Sequence, residues 1–223
     1  LLSRMVQLNN DLSAGVPGIL EEVHEQYLLP PLHASWTTRR KSTHFKCYEE
    51  VAKRFGKLIG VDPWLINPMF DKYGVVDLAT PAGIDALVQR VDAMLTKVKK
   101  KYKEYGIKER PFVVIKADNR TSGNAILSVR DVKDLAAKLR KLGAGLEASP
   151  APLELILQEG VLTNERVNDA VAEPVVYMMD RYVVGGFYRM HAERGQDEDL
   201  SAPGSRYVPL AFAESTHSPQ MPM

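Results

Sequence analysis

Five stretches of this chain carry residue types that chemistry uses. Lys116 closes an apolar run, Phe112-Val113-Val114-Ile115, and a polar turn with Thr121, Ser122 and Gly123 follows. A lysine leaving a buried strand beside such a turn reaches a phosphate oxygen, while loop amides and hydroxyls cradle other oxygens. A solvated lysine in an ordinary hairpin has the same pattern, and no Walker-type glycine spacing decides between them. Gln158-Glu159-Gly160-Val161 ends a second apolar run. Glycine there lets backbone groups approach a flat ligand, or marks a plain strand exit. Asp180-Arg181 and Arg189 lie in a β-rich stretch. A carboxylate and an arginine on adjacent strands suit a magnesium–phosphate site, and equally a sheet-surface ion pair. Asp197-Glu198-Asp199 precedes Ser201-Ala202-Pro203-Gly204. Clustered carboxylates bind a divalent metal or are simply solvated. Asn9-Asn10-Asp11 is the last candidate, beside the basic triplet Arg39-Arg40-Lys41. Asx clusters favour turns, and basic triplets face solvent.

Elements that position these residues follow from spacing. Residues 1–45 read as irregular. Tyr48, Val51, Ala52, Phe55, Leu58 and Ile59 fall at helical spacing, ended by Gly60 and Pro63. Residues 61–79 read as loop. Thr80-Pro81 opens a second helix, with Ile84, Leu87, Val88, Val91, Leu95, Val98 and Tyr102 on one face and Gly106 beyond it. Strands follow at 112–115 and 125–129, then a helix capped by Asp131 and ended by Gly143. Further strands read at 153–157, 174–179, 182–190 and 206–212. The fold class is α+β. Its expected divisions are an N-terminal helical and loop part (1–110), a small β-β-α-β subdomain (111–160), a C-terminal antiparallel sheet (161–212) and a disordered tail (213–223).

Composition narrows the class of molecule. The 223 residues are 45% hydrophobic, enough to offset ordering entropy, so global disorder is excluded. Lys+Arg 29 against Asp+Glu 28 argues against a general nucleic-acid binder. The single cysteine, Cys47, forms no intrachain disulfide and reads as a buried small hydrophobe on its helix; one cysteine suits a reducing, cytoplasmic setting and excludes a Cys-rich zinc site. His33 and His44 lack metal-ligand spacing. No apolar run approaches the ~18 residues of a membrane span, and the start lacks a signal-peptide pattern. Beginning at Leu1, the chain reads as a portion of something longer.

In order, these features resemble the ATP-grasp ligases. The stretches LNNDLSAGVP, QYLLPPLHASW, DPWLINP, YKEYGIKERPFVVIKAD, QEGV, VAEPVVYMMDRYVVGGFYRMHAERG and APGSRYVPLAF are similar to the proteobacterial glutamate–cysteine ligase family, over roughly residues 6–212. The resemblance implies ATP between the small subdomain and the following sheet. It implies Lys116, Asp118 and Gly123 at the phosphates and Gln158, Glu159, Gly160 and Val161 at the adenine edge. Asp180, Asp197 and Asp199 would bind Mg²⁺, and Asn9, Asn10 and Asp11 a substrate. Arg189 would stabilise a γ-glutamyl phosphate, which the amine of cysteine then attacks. Two departures stand out. The phosphate loop reads Asn119-Arg120-Thr121-Ser122-Gly123-Asn124-Ala125, with one glycine, and Asp199-Leu200-Ser201 replaces an asparagine-bearing motif. The alternative is a diverged, non-catalytic ATP-grasp module. Expected partners are ATP, glutamate and cysteine, with no nucleic acid or membrane.

Overall fold

The computed structural model describes residues 5–8, 12, 15–34, 40–118, 127–146, 153–201 and 203–211. Two compact units divide the chain, Leu1–Val161 and Leu162–Met223. Helices accompany separate small sheets, the α+β class. No helix among the described residues is long and apolar enough to cross a membrane.

The first unit opens with β1 (Met5–Gln7) and β2 (Tyr27–Leu29), a parallel pair flanking the short α1 (Gly18–Glu21). Helix α2 (Lys41–Ile59) begins seven residues before the spacing predicts. Its cap is not local. Ser42 donates its backbone N–H and its hydroxyl to the Asp118 carboxylate, at 2.7 and 2.6 Å. That carboxylate satisfies an orphan amide at the positive end of the helix. Gly60 ends α2 in a left-handed conformation (φ 73°).

The side of α2 that packs is not the expected one. Ser42, Ala52 and Gly56 are buried, whereas Tyr48, Val51, Phe55, Leu58 and Ile59 are exposed. The small residues allow close approach, since a Cβ on Gly56 would lie 2.7 Å from the Val61 carbonyl oxygen.

β3 (Phe70–Val75) occupies a stretch expected to be loop. It is an edge strand whose pairing slips between Lys72 and Gly74 (φ 90°), so it carries no clean alternation. The antiparallel sheet runs β3-β6-β4-β5, with β4 (Val113–Ala117), β5 (Leu127–Val129) and β6 (Glu154–Glu159). Helix α3 (Pro81–Glu104) starts as its sequence predicts, Thr80 Oγ1 accepting from Gly83 N–H at 3.2 Å. α4 (Leu135–Leu146) runs past Gly143. Leu87, Val91 and Val98 of α3 share one core with Val113, Ile115, Leu155, Leu157 and, from α4, Leu139. α3, from the expected 1–110 part, is thus built into the same core as the 111–160 strands. Strand alternation leaves Val114 and Lys116 on the opposite face of β4.

The second unit is an antiparallel sheet, β10-β9-β8-β7. β7 (Arg166–Val167) and β8 (Ala170–Met179) precede β9 (Tyr182–His191) and β10 (Arg206–Pro209). Its buried residues, Val171, Ala172, Met190, His191 and Leu200, gather at one end of the β8–β9 hairpin. The tail from 212 lies outside the described residues.

Asp62 ties the loop after α2 to the end of α3. It accepts from Trp64 N–H at 2.9 Å, Lys101 Nζ at 2.6 Å and the Tyr105 hydroxyl at 2.7 Å. The Lys101 hydrogen bond first, then those from Trp64 and Tyr105, lower its pKa to about 2. A depressed carboxyl stabilises the fold above its unfolded pKa, and that contribution is lost as pH falls through the folded value. Asp62→Asn should cost on the order of 1 kcal/mol at neutral pH, allowing for solvent screening. Urea melts should show the gap closing between pH 4 and about 2; a gap independent of pH would refute the ionic part of this role.

Candidate functional site

At the end of β4, positive charge collects on the face away from the core. Lys116 Nζ donates to Gln158 Oε1 at 3.0 Å. The two share this face because Val114 lies opposite Gln158 in the β4–β6 register. Lys41, at the start of α2, donates from Nζ to the Ala117 carbonyl at 2.6 Å. Burial lowers its pKa; the Asp118 charge opposes that, and the Lys116 charge adds to it. Arg40 pairs with Glu154 at 3.2 Å. The basic triplet that looks solvent-facing in the sequence thus supplies a second ammonium beside Lys116. Its only signal was charge, because 76 residues separate Lys41 from Ala117.

Asp118 serves a different end from the one expected. Both of its oxygens hold the N-terminus of α2, so its carboxylate is committed to the fold. The Gln158–Val161 stretch is also partly turned inward. The Glu159 side chain is 4% exposed and accepts from Trp64 Nε1 and Met69 N–H, both at 2.9 Å. Burial raises its pKa despite those two bonds. The Glu159 N–H donates to the Met69 carbonyl at 2.7 Å, and the Gly160 N–H to the Phe112 carbonyl at 2.8 Å. Gly160 admits the Phe112 ring at close range: a Cβ there would lie 2.1 Å from it. Of the four residues, Gln158 faces the lysines and Val161 is exposed.

In the second unit, Arg189 sits opposite Glu173 in the register and donates from Nη1 to its Oε1 at 3.0 Å. Arg189 Nε is buried without a hydrogen-bond partner. Asp180 occupies the two-residue turn between β8 and β9 at φ 54°, a left-handed conformation that Asp tolerates. The loop with Asp197 and Asp199 lies at the other end of the hairpin. There Thr163 N–H donates to the Gln196 carbonyl at 3.0 Å. His191 Nδ1 accepts from Glu193 N–H at 3.2 Å, which leaves Nε2 to donate to the Pro203 carbonyl at 3.0 Å. Ten extended residues separate the two ends, about 30 Å. Asp180 therefore does not join Asp197 and Asp199 around one metal. Asp199 is instead a turn residue, accepting from Ser201 N–H at 2.9 Å and Ser201 Oγ at 2.6 Å. Among the described residues, no group of three or more His, Cys, Asp or Glu is arranged to hold a metal ion. Asn9, Asn10, Asp11 and Gly123 lie outside the described residues.

The Gly160 contact is testable without a ligand. Gly160→Ala should cost about 1–3 kcal/mol, because the Phe112 ring must move in a packed site. Chemical denaturation measures it, and wild-type stability would show that the ring has room.

No curated protein matches the chain. Among solved structures, a protein from Methylobacillus flagellatus KT assigned as a gamma-glutamylcysteine synthetase is similar to it. Identity is 45% and the TM-score 0.79, over 96% of this chain and 52% of the other. The chain thus spans about half the length of that relative. The profile of the glutamate-cysteine ligase family matches residues 2–223, and the chain belongs to that family.

Proposed function

We propose that the chain forms part of an ATP-dependent ligase, ATP-grasp-like in fold, that joins glutamate to cysteine. The observation that carries the reading is the pair of ammonium groups, Lys41 and Lys116, set beside one another at the end of β4. Two cations there suit the phosphates of a nucleotide. Gln158 orients Lys116, and the exposed Val161 lies at the adenine edge.

The reaction has two steps. A glutamate carboxylate oxygen attacks the γ-phosphorus of ATP, and ADP leaves. The cysteine amine then attacks the acyl carbon, phosphate leaves, and the amine gives up a proton. Arg189 is assigned to the negative charge of the acyl phosphate, with Glu173 holding its guanidinium in line. Among the described residues no group of three or more His, Cys, Asp or Glu is arranged to hold a metal ion, and no step is assigned to a metal.

ADP release is the test, with ATP and Mg²⁺ supplied and glutamate present with and without cysteine. Turnover requiring glutamate supports the ligase, whereas binding without ADP release favours a non-catalytic module. Mg·ATP should raise the melting temperature by linkage, and Lys41→Ala or Lys116→Ala should each shrink that rise. Arg189→Met should leave the rise intact while turnover falls roughly 10²–10³-fold. Turnover that survives this change removes Arg189 from the mechanism.

A further inference from the structure

The outward side of α2 is apolar and regularly spaced. Tyr48, Val51, Phe55, Leu58 and Ile59 are 42% to 81% exposed. His44 stacks on Tyr48 with ring centroids 6.3 Å apart, and the Tyr48 hydroxyl donates to the Ile66 carbonyl at 3.0 Å. His44, Tyr48, Val51, Phe55 and Leu58 follow one another at steps of four, three, four and three. That is the 3.5-residue spacing of a helix–helix seam. The inward residues Ala52 and Gly56 lie one position further on, about 100° around the helix. Beyond the helix, Leu65 and Ile66 are the next large apolar residues that are exposed. Apolar surface this contiguous marks an interaction site, unlike single scattered residues.

We propose that this stripe docks a second copy of the chain, α2 against α2, antiparallel about a two-fold axis near Val51 and Ala52. The charges select the partner and its direction. Glu49 and Glu50 precede Lys53, Arg54 and Lys57 along the helix, and Glu49 is paired with Lys53 at 2.9 Å. Antiparallel pairing sets Tyr48 opposite Phe55 of the second copy, and Glu50 beside Arg54 of the second copy. Parallel pairing would set Glu50 against Glu50 and Arg54 against Arg54. The contact is self-complementary, as a two-fold dimer requires. Cys47, the only cysteine, is exposed rather than buried as its sequence suggests, and lies beside the seam. In this arrangement its counterpart sits nine residues away along the axis, about 14 Å.

Sedimentation velocity on the 223-residue chain should show a concentration-dependent dimer. Phe55→Glu, at an exposed position, should preserve the fold, as read by circular dichroism, and weaken the dimer roughly 30-fold. Glu50→Lys and Arg54→Glu should each weaken it roughly fivefold, and the double variant should restore it. A bismaleimide long enough to span the two Cys47 thiols should cross-link the wild-type chain and fail on Phe55→Glu. A chain monomeric at every soluble concentration overturns the proposal. A dimer indifferent to Phe55→Glu overturns it too.

Discussion

The contact between Asp118 and the first turn of α2 governs where the candidate site comes together. Asp118 is 1% exposed and Ser42 4%. A carboxylate so buried is costly unless its oxygens are satisfied, and here the Ser42 amide and hydroxyl do so at short range. Because Ser42 is fixed, the preceding Lys41 is fixed as well, and its ammonium reaches the Ala117 carbonyl. The pairing of Lys41 with Lys116 is thus a consequence of a helix cap. The Arg40–Glu154 ion pair and the bond from Lys41 N–H to the Asp118 carbonyl, at 3.4 Å, reinforce that placement.

A second buried carboxylate works at the far end of the same sheet. β4 and β6 are antiparallel, so Glu159 at the end of β6 lies opposite in direction to Asp118 after β4. Glu159 grips Trp64 and Met69 in the loop that follows α2. α2 is therefore secured through both of its ends, by its own first turn and by its trailing loop. Held this way, the helix needs little apolar contact along its length. Ala52 and Gly56 can face inward while the larger side chains face out.

Much of this was legible in the sequence, and the exceptions have physical causes. α3 was legible because Thr80-Pro81 is a local start signal and its apolar spacing faces one core. β4, β6, β8 and β9 were legible as apolar or alternating runs. β3 was not, since its bulge at Gly74 breaks the alternation. The early start of α2 was hidden because its cap comes from Asp118. Periodicity identified α2 as amphipathic but could not tell whether its apolar side packs within its own fold.

The candidate site shows the same division between local and distant information. Lys116 and Gln158 each end a readable strand, and antiparallel pairing alone puts them on one face. The supposed metal trio failed for a geometric reason. Asp180, Asp197 and Asp199 are close in sequence order, yet a ten-residue hairpin carries the first to its tip and leaves the others near its base. The same hairpin pairs Arg189 with Glu173, sixteen residues away, because register sets them side by side. For a β-rich site, then, nearness along the chain is a poor guide to convergence. Counting residues back from the turn is a better one: it separates Asp180 from the acidic loop and joins Arg189 to a carboxylate that its own neighbourhood in sequence does not contain.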